Sequence, residues 1–119
     1  MYDTARLARA KGLKNIMVSA GYINREPLEE LLKYMDVVKI DLKGFDESFY
    51  KDYVGGRLEY VKETLLTLKK SGVFFEVVNL VVPGLNDDKE SLKSLIAWIR
   101  KELGPDVPLF FQDSRLIIR

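Results

Sequence analysis

The chain contains neither cysteine nor histidine. Without thiolates it forms no disulfide, offers no sulfur nucleophile and by itself ligates no iron–sulfur cluster. Without imidazole it has no histidine ligand or base, which excludes zinc-finger, papain-like and Ser-His-Asp chemistry. An excess of one charge is also missing: 19 basic residues stand against 18 acidic ones, so no global field draws the chain to nucleic acid or an acidic membrane. No apolar run is long enough to span a bilayer and no signal-like leader is present, so the cytoplasm is the expected location. No Ser/Gly-rich linker or break in composition divides the 119 residues, and residues 1–119 read as one domain with a modest core.

What the sequence does contain is an alternation of strand and helix patterns. Residues 3–11 mix Ala and Leu in a helical pattern and stop at Gly12. Residues 15–21 form a short apolar run closed by Gly21, the pattern of a buried strand. Pro27 stands where a first helical residue would, and Leu28, Leu31, Leu32 and Met35 follow at i, i+3, i+4, i+7. Residues 37–43 are a second strand, followed by a short helical piece around Phe49, Tyr50 and Tyr53 and a Gly55-Gly56 turn. Val61, Leu65 and Leu68 mark a helix ended by Gly72, and residues 73–82 are the third and most β-branched strand. Asp87 and Glu90 have the spacing of a capping box ahead of a helix carrying Leu92, Leu95, Ile96, Ile99 and Leu103; Gly104-Pro105 stops it, and residues 109–112 are a fourth strand. Such alternation requires parallel pairing through right-handed crossovers, so the fold class is α/β.

The second strand chooses between an open doubly wound sheet and a barrel wall. Its two-residue period puts Val38, Ile40 and Leu42 on one face and Lys39, Asp41 and Lys43 on the other. Helices on both faces would bury three charges at high cost, and Glu76 adds another in the third strand. In a barrel wall the charged face meets an open, wet mouth instead. The expectation is therefore parallel (β/α) units forming part of a partial TIM-type barrel with about four strands.

Sites on such folds lie at the C-terminal ends of strands. The residues there are Ser19 to Tyr22, Asp41 to Lys43, Asn79 to Asn86 and those after Phe110. Asp41 and Lys43 share a strand face, close enough either to form a structural ion pair or to hold a zwitterionic or hydroxyl-bearing ligand. The run Val-Val-Pro-Gly-Leu-Asn-Asp satisfies the demands of a strand end, a turn and a helix cap. Phe49, Tyr50 and Tyr53 read as core or lid packing, since no basic stripe accompanies them to suit nucleic-acid stacking.

The ordered motifs Val-Ser-Ala-Gly-Tyr-Ile-Asn, Lys-Ile-Asp-Leu-Lys-Gly-Phe-Asp-Glu-Ser-Phe-Tyr, Leu-Val-Val-Pro-Gly-Leu-Asn-Asp and Gly-Pro-Asp-Val-Pro-Leu carry more than spacing. From about Leu7 to Leu109 the chain resembles the radical S-adenosylmethionine (radical SAM) enzymes of the pyruvate formate-lyase activating type, and in particular the branch named AmmeMemoRadiSam system radical SAM enzyme. The resemblance implies a six-unit partial barrel whose Cys-x-x-x-Cys-x-x-Cys loop holds a four-iron, four-sulfur (4Fe-4S) cluster. An electron from that cluster cleaves S-adenosylmethionine to a radical that abstracts hydrogen. It also implies that Asp41 and Lys43 contact S-adenosylmethionine, that Ser19 lies beside the cofactor and, in some members, a monovalent-cation site, and that Val82 belongs to the strand whose backbone flanks the adenine.

Three departures accompany the likeness. The cysteine loop, expected a couple of βα units before Met1, is absent from these residues; Ala20 stands where the family has Asn; and after Leu109 the chain reads Phe110-Phe111-Gln112-Asp113-Ser114-Arg115 rather than His-Phe and an Arg-Phe-x-Pro stretch. Back-translation of residues 111–119 with a one-base upstream shift can yield Pro-Arg-Phe-Ser-Pro-Asp-Tyr-Lys, the expectation of a frameshifted or split gene that the nucleotide sequence checks. The functional expectation is a radical SAM fragment that keeps part of the S-adenosylmethionine wall and is inactive alone. Two alternatives are a non-catalytic S-adenosylmethionine or nucleotide-binding module and an interaction subunit completing a cysteine-bearing N-terminal half. A homodimer is expected where the first strand is left as an open edge. Neither nucleic acid nor membrane is an expected partner.

Overall fold

A computed structural model of the chain describes residues 1–113. The expectation of a shifted reading frame falls largely on residues 114–119, outside the described residues. Helix α1 (Tyr2–Ala10) leads into strand β1 (Ile16–Ser19), α2 (Arg25–Leu32) and β2 (Val37–Asp41). A short α3 (Glu47–Phe49) runs directly into a π-helical turn (Tyr50–Val54), followed by α4 (Leu58–Ser71) and β3 (Phe74–Val81). The last unit is α5 (Lys89–Trp98), which continues as a π-helical turn (Ile99–Leu103), and β4 (Leu109–Asp113).

All three strand pairs are parallel and the spatial order is β1-β2-β3-β4, as βα repetition requires. The register lines up Val18, Lys39 and Glu76 in one row and Asp41, Val78 and Phe110 in the row nearer the strands' C-terminal ends. Each row shares one side of the sheet, because the pleat is in phase across paired residues.

The two sides differ as the alternation in β2 predicts. Met17, Val38, Ile40, Leu42, Phe75 and Val77 face the helices and join Leu28, Leu31, Leu65, Leu68, Leu95, Ile99 and Leu103 in one core. Burial of each such side chain contributes about 1.5–3 kcal/mol. On the opposite side Ile16, Val18, Phe74 and Phe110 are each more than half exposed, and Lys39, Asp41 and Lys43 stand free of helices. The wall of a partial barrel, rather than a doubly wound sheet, accommodates that charged row.

Local details differ from the sequence reading in physically simple ways. Pro27 is the third residue of α2, not the first, since Asn24 is the N-cap; its missing N–H still falls in the first turn, where no intrahelical acceptor exists. Met35 lies beyond α2 yet stays buried in the turn before β2. Asp88, not Asp87, caps α5, accepting from the Ser91 N–H at 2.9 Å, while Asp87 accepts from the Gly84 N–H at 3.0 Å and closes the Pro-Gly turn. Strands β1, β2 and β3 are each shorter than their apolar runs, because the residues at their C-terminal ends turn into the loops that build the site.

Candidate functional site at the strand ends

Asp41 is the last residue of β2, and Lys43 lies two residues on, with its side chain turned to the same side. Lys43 Nζ donates to Asp41 Oδ2 at 2.5 Å, with both side chains about one-third exposed. The other oxygen, Asp41 Oδ1, is buried and has no hydrogen-bond partner among the described residues. An ionised carboxylate accepts at both oxygens, and a buried acceptor left unmet costs about 1–3 kcal/mol. The site thus pairs a carboxylate whose second oxygen lacks a donor with a lysine that has donors to spare for a ligand carboxylate.

Asp41 lines a trough of about 780 Å³ whose walls also include Lys39, Glu76, Val78, Leu80 and Phe110. Lys39 and Glu76, in register on neighbouring strands, pair at 3.6 Å. The trough therefore combines apolar surface with the Lys39–Glu76 ion pair and the Asp41 carboxylate, the composition of a site for an amphipathic small molecule. A second cavity of about 820 Å³ lies between the β1–α2 turn and α4, lined by Tyr22, Arg25, Glu29, Glu63 and Lys70 among others. No buried, unsatisfied side-chain atom belongs to its lining among the described residues, and it lies away from the Asp41–Lys43 pair.

Three residues beyond the four expected cofactor contacts hold the Leu42–Lys43 segment in place. Asn79, almost fully buried in β3, donates from Nδ2 to the Leu42 carbonyl at 2.7 Å. Tyr50 Oη accepts from the Lys43 N–H at 2.9 Å, and burial raises its phenol pKa so that it stays neutral. Asn86 bonds the Lys43 carbonyl from the β3–α5 loop at 2.8 Å. An asparagine inside the apolar run of β3 was a visible signal, because a buried amide calls for partners; its Nδ2 finds the Leu42 carbonyl, while its Oδ1 has none among the described residues. Nothing local marked Tyr50, which reads as an ordinary core aromatic.

The structure does not bring all four predicted residues together. Ser19 pairs in register with the fully buried Ile40, so its side chain leaves the sheet on the helical side, opposite Asp41 and Lys43. Its Oγ accepts from the Gly21 N–H at 3.0 Å and shapes the turn after β1. Gly21 has φ +86°, and a Cβ there would stand 3.1 Å from Val61 Cγ1, which explains the glycine. Val82 follows β3 directly; its N–H donates to Asn86 Oδ1 at 2.7 Å and its carbonyl accepts from the Leu85 and Asn86 N–H groups. Only its side chain remains to flank a ligand.

The donor chemistry separates the two cofactors that the sequence resemblance implies. Asp41 Oδ1 and Lys43 suit the polar end of S-adenosylmethionine. A 4Fe-4S cluster needs thiolates, and these 119 residues contain none. Among the described residues no three His, Cys, Asp or Glu side chains converge as a metal-binding group, and no helix is long and apolar enough to cross a membrane.

Comparison with known proteins gives the family and the fold. The profile of the Radical SAM superfamily matches residues 1–96. An uncharacterized protein of Methanocaldococcus jannaschii, MJ0808, is 44% identical over 111 residues, covering 93% of this chain and 32% of that protein. The pyruvate formate-lyase-activating enzyme of Clostridium pasteurianum is 30% identical over 100 residues, covering 84% of this chain and 42% of the enzyme. The chain thus spans 32% and 42% of the length of these two relatives. Among solved structures, a domain of pyruvate-formate lyase-activating enzyme from Bacteroides vulgatus superposes with a TM-score of 0.81 at 16% identity, covering 90% of this chain and 65% of that one, a likeness of fold.

Proposed function

The chain belongs to the Radical SAM superfamily, and from that premise we propose that its sheet is the S-adenosylmethionine-binding wall of an enzyme of the pyruvate formate-lyase-activating type. The observation that carries this reading is Asp41, whose Oδ2 is engaged by Lys43 while Oδ1 is buried with no hydrogen-bond partner among the described residues. In this reading Asp41 accepts from the ligand's ammonium or a hydroxyl, Lys43 neutralises its carboxylate, and the Val82 side chain lies along its adenine. Ser19 acts from the other side of the sheet, shaping the β1 turn at the rim. When bound with a reduced 4Fe-4S cluster, S-adenosylmethionine supplies the family's radical chemistry. The cluster's thiolates come from polypeptide outside these residues, so the chain alone is inactive.

Calorimetric titration with S-adenosylmethionine tests the proposal. We expect saturable one-site binding that weakens about tenfold or more in Asp41→Asn, since the carboxylate's charge is lost while its shape is kept. Wild-type protein that gives no heat with S-adenosylmethionine, or an Asp41→Asn variant that binds as wild type does, rejects it. Anaerobic treatment with iron and sulfide is expected to leave the chain colourless; stoichiometric iron with a cluster absorption band counts against the assignment of thiolates to another polypeptide.

A second reading is favoured by the exposed apolar residues Ile16, Val18, Phe74 and Phe110 on the inner face. They suit an interaction subunit that docks on a cysteine-bearing half, or a homodimer that covers the same surface. Adding a cysteine-bearing N-terminal half of a relative to the titration distinguishes a completed site from a self-sufficient one.

A further inference from the structure

Asn86, 6% exposed in the loop between β3 and α5, reaches both strand ends of the candidate site with a single amide. Its Oδ1 accepts from the Val82 N–H at 2.7 Å, and its Nδ2 donates to the Leu80 carbonyl at 2.8 Å. Those two bonds close its own loop, and local turn chemistry explains them. A third bond does not close the loop: Nδ2 also donates at 2.8 Å to the carbonyl of Lys43, 43 residues away in sequence.

Lys43 lies past the last residue of β2, where no strand ladder continues to hold it. Side chains from three other segments take over. The Lys43 N–H goes to Tyr50 Oη, its carbonyl goes to Asn86, and the preceding Leu42 carbonyl goes to Asn79. Of these, only Asn86 also grips the end of β3. A lysine side chain has four torsions, so where its ammonium sits depends on how firmly its own peptide is fixed.

We infer that Asn86 is a positioning residue that locks Lys43 at the end of β2 to Val82 at the end of β3, fixing the spacing between the charged and apolar ends of the site. The inference takes its ligand from the reading that this site binds S-adenosylmethionine; the hold on Lys43 itself is measurable without any ligand.

The experiment combines amide hydrogen exchange with titration of S-adenosylmethionine in purified wild type, Asn86→Ala, Asn86→Asp, Lys43→Ala and the Lys43→Ala/Asn86→Ala double variant. In Asn86→Ala, exchange at Val82 is expected to rise about tenfold or more and the NMR signal of the Lys43 carbonyl carbon to shift, while the Lys43 N–H keeps Tyr50 Oη as its acceptor and amides inside the β2–β3 ladder change little. Asn86→Asp keeps the Oδ1 acceptor and loses the donors, so Val82 stays protected while the Lys43 carbonyl is released and its carbon signal shifts; this split serves if Asn86→Ala does not fold. Affinity is expected to fall about tenfold in Asn86→Ala, yet by less than about twofold when the same change is made in the Lys43→Ala background, because the two residues act through one interaction. An unchanged Lys43 carbonyl signal in both Asn86 variants overturns the inference. So does a uniform rise that includes the ladder amides, or affinity losses that simply add. If Lys43 is released as expected but wild type binds no S-adenosylmethionine, the ligand reading fails and the hold of Asn86 on Lys43 stands.

Discussion

Asp41 and Lys43 illustrate how little an ion pair one-third exposed need do for stability while still organising a site. Such a pair contributes about 0–1 kcal/mol, because water screens it and two side chains lose freedom to form it. Lys43→Met is therefore expected to change unfolding free energy by less than about 1 kcal/mol in urea titration, yet to weaken S-adenosylmethionine binding about tenfold or more by calorimetry. Asp36 makes the opposite case, a carboxylate used for structure. Its pKa is lowered from 3.8, first by the Asn15 N–H that donates to Oδ2 at 2.7 Å, with Arg9 adding a favourable charge at 2.9 Å. A carboxyl with a depressed folded pKa stabilises the fold above its unfolded value and loses that contribution as pH falls through the folded one. The expected result is a carboxyl-carbon NMR titration of Asp36 with its midpoint below 3.8, accompanied by loosening of the α1–β1 turn as acid protonates it. A midpoint at or above 3.8 contradicts the assignment.

At the scale of the element, the β1–α2 connection is held by both its backbone conformation and its packing. Gly21 occupies the left-handed region, its carbonyl accepts from Thr64 Oγ1 of α4 at 2.6 Å, and its missing Cβ leaves room for Val61. Gly21→Ala combines an unfavourable φ with a close contact, and is expected to cost about 1–3 kcal/mol, read as a lower thermal midpoint. Substituting Gly12 makes a useful control: its φ is +81° but a Cβ there meets nothing within 4 Å, so Gly12→Ala carries only the backbone penalty and should cost less. Equal losses would show that Val61 yields freely to the added methyl.

For the whole molecule, the asymmetry between the two sides of the sheet is the main consequence of the fold. One side is closed by α2, α4 and α5, while the other exposes Ile16, Val18, Phe74 and Phe110 around the Lys39–Glu76 and Asp41–Lys43 pairs. Apolar surface of this kind on an open sheet, with β1 at its edge, favours association. Light scattering across a dilution series is expected to show self-association of the chain at micromolar concentration, reduced in Val18→Lys, which places a charge on the exposed face beside that edge. A monomer at every concentration, with Val18→Lys behaving identically, would mean that the inner face is protected in solution.

Strand–helix alternation and the two faces of β2 were legible in the sequence because both follow from short-range periods: Val38, Ile40 and Leu42 alternate with Lys39, Asp41 and Lys43, and burial follows. The same two-residue count from Met17 puts Ser19 on the helical side, so its separation from Asp41 was also written there, although likeness to a family grouped the two. Tertiary structure alone decided what holds Lys43. Tyr50, Asn79 and Asn86 come to one peptide segment from three separate places along the chain. No local pattern encodes such meetings, because a hydrogen bond between residues 37 or 43 positions apart depends on how strands and loops are brought side by side, and that is set by burial of the core as a whole.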